Sequence, residues 1–154
     1  MLLEVLCVCR RPPRWVSEVT ADYARRLPRD LSLEFVFVAP GRDGLASVER
    51  KRDEARRLDR RIASDSAVVA LDERGEDTDS AGLAAWLARW QREHARMTFL
   101  VGGADGLDDS LVGRARSRWS LSRLTLPHLL VQVILAEQIY RARSILDGHP
   151  YHRA

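Results

Sequence analysis

Ser66-Ala67-Val68-Val69-Ala70-Leu71 and Met97-Thr98-Phe99-Leu100-Val101-Gly102 are the two stretches on which the fold turns. Each is a short, almost unbroken apolar run rich in β-branched or aromatic side chains. A strand with one wet face alternates apolar and polar residues; a strand covered on both faces, as in a parallel sheet, does not. Working outward, residues 2–9, 31–39 and 121–126 have the same strand character. The segments between them have helical length. Trp15, Val19, Tyr23 and Leu27 recur at helical spacing behind Pro12-Pro13, where a proline can open a helix. Val48, Ala55, Leu58 and Ile62 make a thin apolar stripe on a heavily charged segment. Leu83, Trp86, Leu87 and Trp90 make another, with Asp79 or Ser80 as its N-cap. Leu111, Val112 and Ala115 mark a short fourth helix, and residues 129–146 the longest, with Leu130, Val133, Ile134 and Tyr140 expected inward. Strands alternating with helices predict an α/β fold, a mostly parallel sheet with helices on both faces, in one domain spanning residues 1–154.

Composition agrees. With 154 residues, 45% hydrophobic and 31% charged, the chain reads as an ordinary globular domain with one substantial core. No apolar run approaches the roughly 18 residues that span a bilayer. The first six residues carry Glu4 and no basic group, so no secretory signal is expected, and the predicted location is the cytoplasm. Cys7 and Cys9 share one face of a strand and read as small buried hydrophobes. No set of further soft ligands accompanies them or His149 and His152, so no metal is expected. Charge is unevenly placed. Residues 114–154 hold Arg114, Arg116, Arg118, Arg123, Arg141, Arg143 and Arg153 against Glu137 and Asp147, a net of +5 in a chain of net +3. The remaining residues therefore carry −2. A basic end on a near-neutral body predicts a surface for a polyanion.

Ligands of open α/β sheets lie beyond the carboxyl ends of the strands. The first strand is followed by Arg10-Arg11-Pro12-Pro13, so the glycine fingerprint of dinucleotide binding is absent there, and no phosphate-loop motif occurs. Two later strand ends are more informative: Leu71-Asp72-Glu73-Arg74-Gly75, and Val101-Gly102-Gly103-Ala104-Asp105-Gly106. The glycines allow close approach of backbone to a ligand, and two such ends side by side would form a crevice. The end of the chain, His149-Pro150-Tyr151-His152-Arg153-Ala154, suits nucleic acid, because Tyr and His stack on bases and Arg holds phosphate.

Four blocks, in order, carry a resemblance: Leu100-Val101-Gly102-Gly103-Ala104-Asp105-Gly106; Trp119-Ser120-Leu121-Ser122-Arg123-Leu124-Thr125-Leu126-Pro127-His128; Ala136-Glu137-Gln138-Ile139-Tyr140-Arg141-Ala142; and His149-Pro150-Tyr151-His152-Arg153. Together with Pro13-x-Trp15, Tyr23-x-x-Arg26-Leu27 and Leu71-Asp72-Glu73-x-Gly75, they resemble the ribosomal RNA large subunit methyltransferase H family, of the SPOUT class, along the whole chain. The resemblance implies a C-terminal trefoil knot within about residues 97–154, although knots are nearly absent among proteins. It implies S-adenosylmethionine as methyl donor, held by Leu71, Gly102, Gly103, Ser122, Arg123, Leu124, Thr125, Leu126 and Pro127. It implies a homodimer with the site near the subunit interface, and 23S ribosomal RNA in the ribosome as partner, methylated at N3 of a pseudouridine.

For that chemistry the imide proton must leave N3 before its lone pair attacks. His152 and Tyr151, with Arg153, are the expected source of the base, and Arg153 or Arg141 would stabilise the imide anion. Arg123 and the row Arg114, Arg116, Arg118 would hold phosphates. Two positions depart from the family pattern: Gln132 stands where Arg is usual, and Cys9 where Gly is usual. The Gln132 departure is the best support for a rival, a non-catalytic RNA-binding protein of the same fold. Methylation of another RNA, such as transfer RNA, is a second rival.

Overall fold

The computed structural model describes the backbone of residues 1–153 and the side chains of residues 1–151. Strands β1 (Leu2–Val8), β2 (Ser32–Val38), β3 (Ala67–Asp77), β4 (Arg96–Val101) and β5 (Ser117–Ser120) alternate with helices α1 (Arg14–Arg26), α2 (Ser47–Asp59), α3 (Ser80–Glu93), α4 (Asp109–Arg114) and α5 (His128–Leu146). A terminal 3₁₀ turn covers Pro150–Arg153. Every pairing is parallel, in the order β2-β1-β4-β3-β5. The expected α/β sheet is present. Among the described residues no helix is long and apolar enough to cross a membrane.

Successive strand residues feed two separate cores, because side chains alternate across a sheet. Leu3, Val5, Cys7, Met97, Phe99 and Val101 pack with α1, α3 and α5. Leu6, Val8, Ala70 and Leu100 pack with α2 and α4. Both cysteines are buried and free, and burial pushes the Cys7 thiol well above its ordinary value. Helix α3 is capped by Asp79, which accepts a hydrogen bond from the Gly82 amide at 2.7 Å.

The chain corrects the sequence reading in four places. The fifth strand is Ser117–Ser120, not residues 121–126. Its side chains are mostly polar, and it pairs because Trp119 anchors it in the core while the apolar residues after it line an open cleft. Strand β3 runs on to Asp77 through an irregularity between Leu71 and Glu76, both of which register with Trp119. The backbone at Gly75 passes so close to Trp119 that a Cβ there would lie 2.4 Å from the Trp119 carbonyl carbon, which admits only glycine. On α1 the buried residues are Val16 and Thr20, and Trp15 is 46% exposed. On α5 the buried stripe is Gln132, Leu135, Ala136, Ile139 and Ala142, whereas Leu130 is exposed and Val133, Ile134 and Tyr140 are half-buried. Helix α5 is apolar on more than one face, so periodicity cannot say which face meets the sheet.

Candidate active site

A cleft of about 740 Å³ opens beyond the carboxyl end of β4 and beside the irregular stretch of β3 after Leu71, the side on which open α/β sheets hold ligands. Its floor is the turn after β4. There a Cβ on Gly102 would come within 2.5 Å of the Gly106 carbonyl carbon, so the close approach this glycine permits is of chain to chain. The Gly106 amide closes the turn on the Gly103 carbonyl at 3.0 Å. Opposite lies the segment 121–127, held by its own hydroxyls. Ser120 Oγ donates to the Ser122 carbonyl at 2.8 Å, the Leu124 amide donates to Ser122 Oγ at 2.9 Å, and Thr125 Oγ1 donates to Glu73 at 3.2 Å. These bonds fix a loop whose apolar side chains stay uncovered: Leu124 is 74% exposed.

Leu71, Gly102, Gly103, Ser122, Leu124, Thr125, Leu126 and Pro127, all singled out from sequence, line this cleft. Arg123 does not; its side chain, 90% exposed, turns away to Asp77 at 3.0 Å. Lys51 and Val131, which also line it, were not nominated from sequence, and Trp119, His128, Asp72, Glu73 and Asp105, quoted there within strand ends and motif blocks, were given no role. The acids differ in their partners. Burial pushes the Asp72 carboxyl up, but hydrogen bonds from the Arg74 and Arg118 side chains and the Arg74 amide outweigh it and hold it at about 2. Asp105 is ion-paired to Arg50 at 2.9 Å. Glu73 has only the Thr125 hydroxyl among the described residues.

Behind the cleft floor, Glu54 of α2 is buried. It accepts a hydrogen bond from the Gly41 amide at 2.9 Å, and its other oxygen has no partner. It ties the loop between β2 and α2 to helix α2, and its carboxylate lies beside the turn at Gly103. Glu54→Ala leaves the buried Gly41 amide unpaired, an expected loss of about 1–3 kcal/mol in urea unfolding. Glu54→Gln keeps one acceptor and is expected to recover most of it; equal losses in the two variants would show that the Gly41 bond is not the cause.

A second cluster lies on α1, α5 and the terminal turn. Arg141 meets Glu137 at 2.6 Å, and its guanidinium carbon lies 5.0 Å from the centre of the Tyr151 ring. The Tyr151 hydroxyl reaches Glu137 at 3.2 Å and the Tyr23 hydroxyl at 3.3 Å. Burial, then the Tyr23 hydrogen bond and the Glu137 charge, push the Tyr151 phenol well above its ordinary value, so it is protonated at neutral pH. Neither Arg141 nor Tyr151 lines the cleft. Arg141 stands ten residues beyond Val131 on the same helix, roughly 15 Å along its axis. The side chains of His152 and Arg153, which sequence nominates alongside them, lie outside the described residues. Glu137, which orients both Arg141 and Tyr151, was not singled out; its spacing of four residues from Arg141 was the available signal.

The six arginines of the basic C-terminal quarter whose side chains are described are matched to carboxylates: Arg114 to Asp59, Arg116 to Glu93, Arg118 to Asp72, Arg123 to Asp77, Arg141 to Glu137, and Arg143 to Asp30 and Asp147. Gln132 is fully buried, and neither polar atom of its amide has a partner among the described residues.

A parallel α/β domain with a glycine turn and a hydroxyl-braced loop enclosing one cleft is the frame of a small-ligand enzyme. A sequence profile described as "Predicted SPOUT methyltransferase" matches residues 1–152, and the chain belongs to that family. Its relatives there are named ribosomal RNA large subunit methyltransferase H. The chain is 47% identical to the protein of Nitrosococcus oceani, over 100% of this chain and 99% of that one. It is 46% identical to that of Methylococcus capsulatus over 99% and 100%, and 46% identical to that of Polynucleobacter asymbioticus over 99% of each.

Proposed function

We propose that the chain is a 23S ribosomal RNA methyltransferase that uses S-adenosylmethionine to methylate N3 of pseudouridine 1915. The observation that carries this reading is the cleft: eight residues nominated for the cofactor from sequence converge there from three separate segments. The residues present fit the donor. Leu71, Leu124 and Leu126 offer apolar cover for adenine, and the exposure of Leu124 leaves surface for such a ring to bury. The backbone of the Gly102-Gly103 turn and of residues 122–127 is available to read polar edges. Glu73, with no cationic partner among the described residues, balances a positive ligand.

When bound, S-adenosylmethionine supplies a methyl group on a positively charged sulfur, already activated for displacement. The chain's task is alignment and removal of the N3 proton. Arg141 is suited to stabilise the imide anion as it forms, with Glu137 fixing the orientation of its guanidinium. Tyr151, a protonated phenol, serves as a hydrogen-bond donor, which leaves His152 as the base. The distance along α5 between Arg141 and the cleft supports a composite site in which the tail of a second copy completes the cleft of the first. The half-covered face of α5 bearing Leu130, Val133 and Ile134 is the proposed dimer surface. We further propose that residues 97–154 are knotted, consistent with segment 121–127 returning against the turn after β4, and that the protein works in the cytoplasm on ribosomes.

Calorimetry with S-adenosylmethionine is expected to show saturable binding. Methyl label should then appear on ribosomal RNA, mapped to one pseudouridine by mass spectrometry. Absence of cofactor binding would leave only a non-catalytic RNA-binding reading, and label in transfer RNA alone would move the target.

A further inference from the structure

Among the described residues the densest group of unmatched positive charge lies on α2, early in the sequence. On α2 and the turn after it, Lys51, Arg52, Arg60 and Arg61 have no carboxylate partner among the described residues, and Arg56 reaches Asp53 only at 3.4 Å. Arg52, Arg56 and Arg60 recur every four residues, so they stand in one exposed row about 12 Å long. The acids of the same helix are otherwise engaged: Asp53 pairs with Arg57, Glu54 is buried, and Asp59 pairs with Arg114, leaving Glu49 in the first turn. Asp108, whose carboxylate feels Lys51 and Arg52, is hydrogen-bonded to Ser110. Like charges four apart destabilise a helix by a few tenths of a kcal/mol per pair, and an anion laid along the row removes that cost.

Lys51, the residue before Arg52 at the head of the row, lines the cleft. We propose that α2, through Arg52, Arg56, Arg60 and Arg61, is the surface that grips the phosphodiester backbone of the RNA substrate, with Lys51 leading the strand into the cleft. This rests on the RNA-methyltransferase reading above. The C-terminal arginines contribute less, because a phosphate brought to a matched arginine also meets the carboxylate that matches it. Among Lys51, Arg52, Arg56, Arg60 and Arg61 only Arg56 has such an ion pair among the described residues, at 3.4 Å from Asp53, and the counterions of the others are free to be released when RNA binds.

The test titrates the intact protein against purified bacterial ribosomes across roughly 50–200 mM monovalent salt. Arg52→Ala/Arg60→Ala/Arg61→Ala is expected to weaken binding about tenfold or more at mid-range salt. It should flatten the slope of log affinity against log salt by about 2–3, three charges at roughly 0.7–0.9 each. Affinity for S-adenosylmethionine should not change, which certifies the fold. The charge-keeping variant Arg52→Lys/Arg60→Lys/Arg61→Lys is expected to retain the slope, and Arg114→Ala/Arg116→Ala to lose less than about twofold. The assignment is overturned if the alanine triple binds as the parent does, or if Arg114→Ala/Arg116→Ala loses as much. A parent protein that binds cofactor but no ribosomes at the lowest salt would overturn the RNA reading together with it.

Discussion

Trp119→Ala is expected to lower the unfolding free energy by about 3–5 kcal/mol, the range for a large aromatic removed from a packed core. Trp119 is 1% exposed on β5. Its ring stacks on Trp86 with centroids 3.7 Å apart and on Trp90 at 5.0 Å, and Phe99 lies 6.0 Å away. It thereby joins α3 to the centre of the sheet and pins the edge strand that leads into the cleft loop. Small domains are stable by only about 5–15 kcal/mol, so the variant is expected to lose a large share of its stability. The indole Nε1 is buried without a partner, so Trp119→Phe loses no hydrogen bond and should cost much less. Urea unfolding followed by circular dichroism measures both, and a loss under about 1 kcal/mol for the alanine variant would show that the stack does not hold the edge strand.

Arg141→Ala is expected to reduce kcat on ribosomes by about 10²–10³, the usual effect of removing one group that stabilises a developing anion. Affinity for S-adenosylmethionine should stay within about twofold, because Arg141 is absent from the cleft of its own chain. Arg141→Lys keeps the charge but not the planar fork that grips Glu137 while facing Tyr151, so only part of the rate should return. Single-turnover kinetics with labelled cofactor gives kcat apart from binding. Unchanged kcat in Arg141→Ala would remove Arg141 from the reaction, and a large loss of cofactor affinity would place it in the cofactor site.

Much of this was legible in the chain. Strand-length apolar runs separated by amphipathic helices announced the α/β order, because covered parallel strands leave that trace locally. The cleft residues were legible through two strand ends and a motif block, and the fold brings all but Arg123 together. The fifth strand was not legible. Ser117–Ser120 has little hydropathy to show, and residues 121–126, which look like a strand, keep their leucines at an open cleft. The inward face of α5 was equally hidden, since Leu130, Val133 and Ile134 are as apolar as the residues that are buried.

Charge shows where local pattern ends. From composition the C-terminal quarter is a basic surface. In the folded chain Arg114 bonds Asp59 and Arg118 bonds Asp72, partners 55 and 46 residues away, and the basic surface is largely neutralised. Periodicity and propensity act over a few residues, and so they settled most of the elements and their order, while the likeness to a methyltransferase family rested on four motif blocks. Which strand closes the sheet edge, which helix face is covered and which cations keep a field to offer an RNA were left to the fold, because each depends on groups that meet only when distant segments pack.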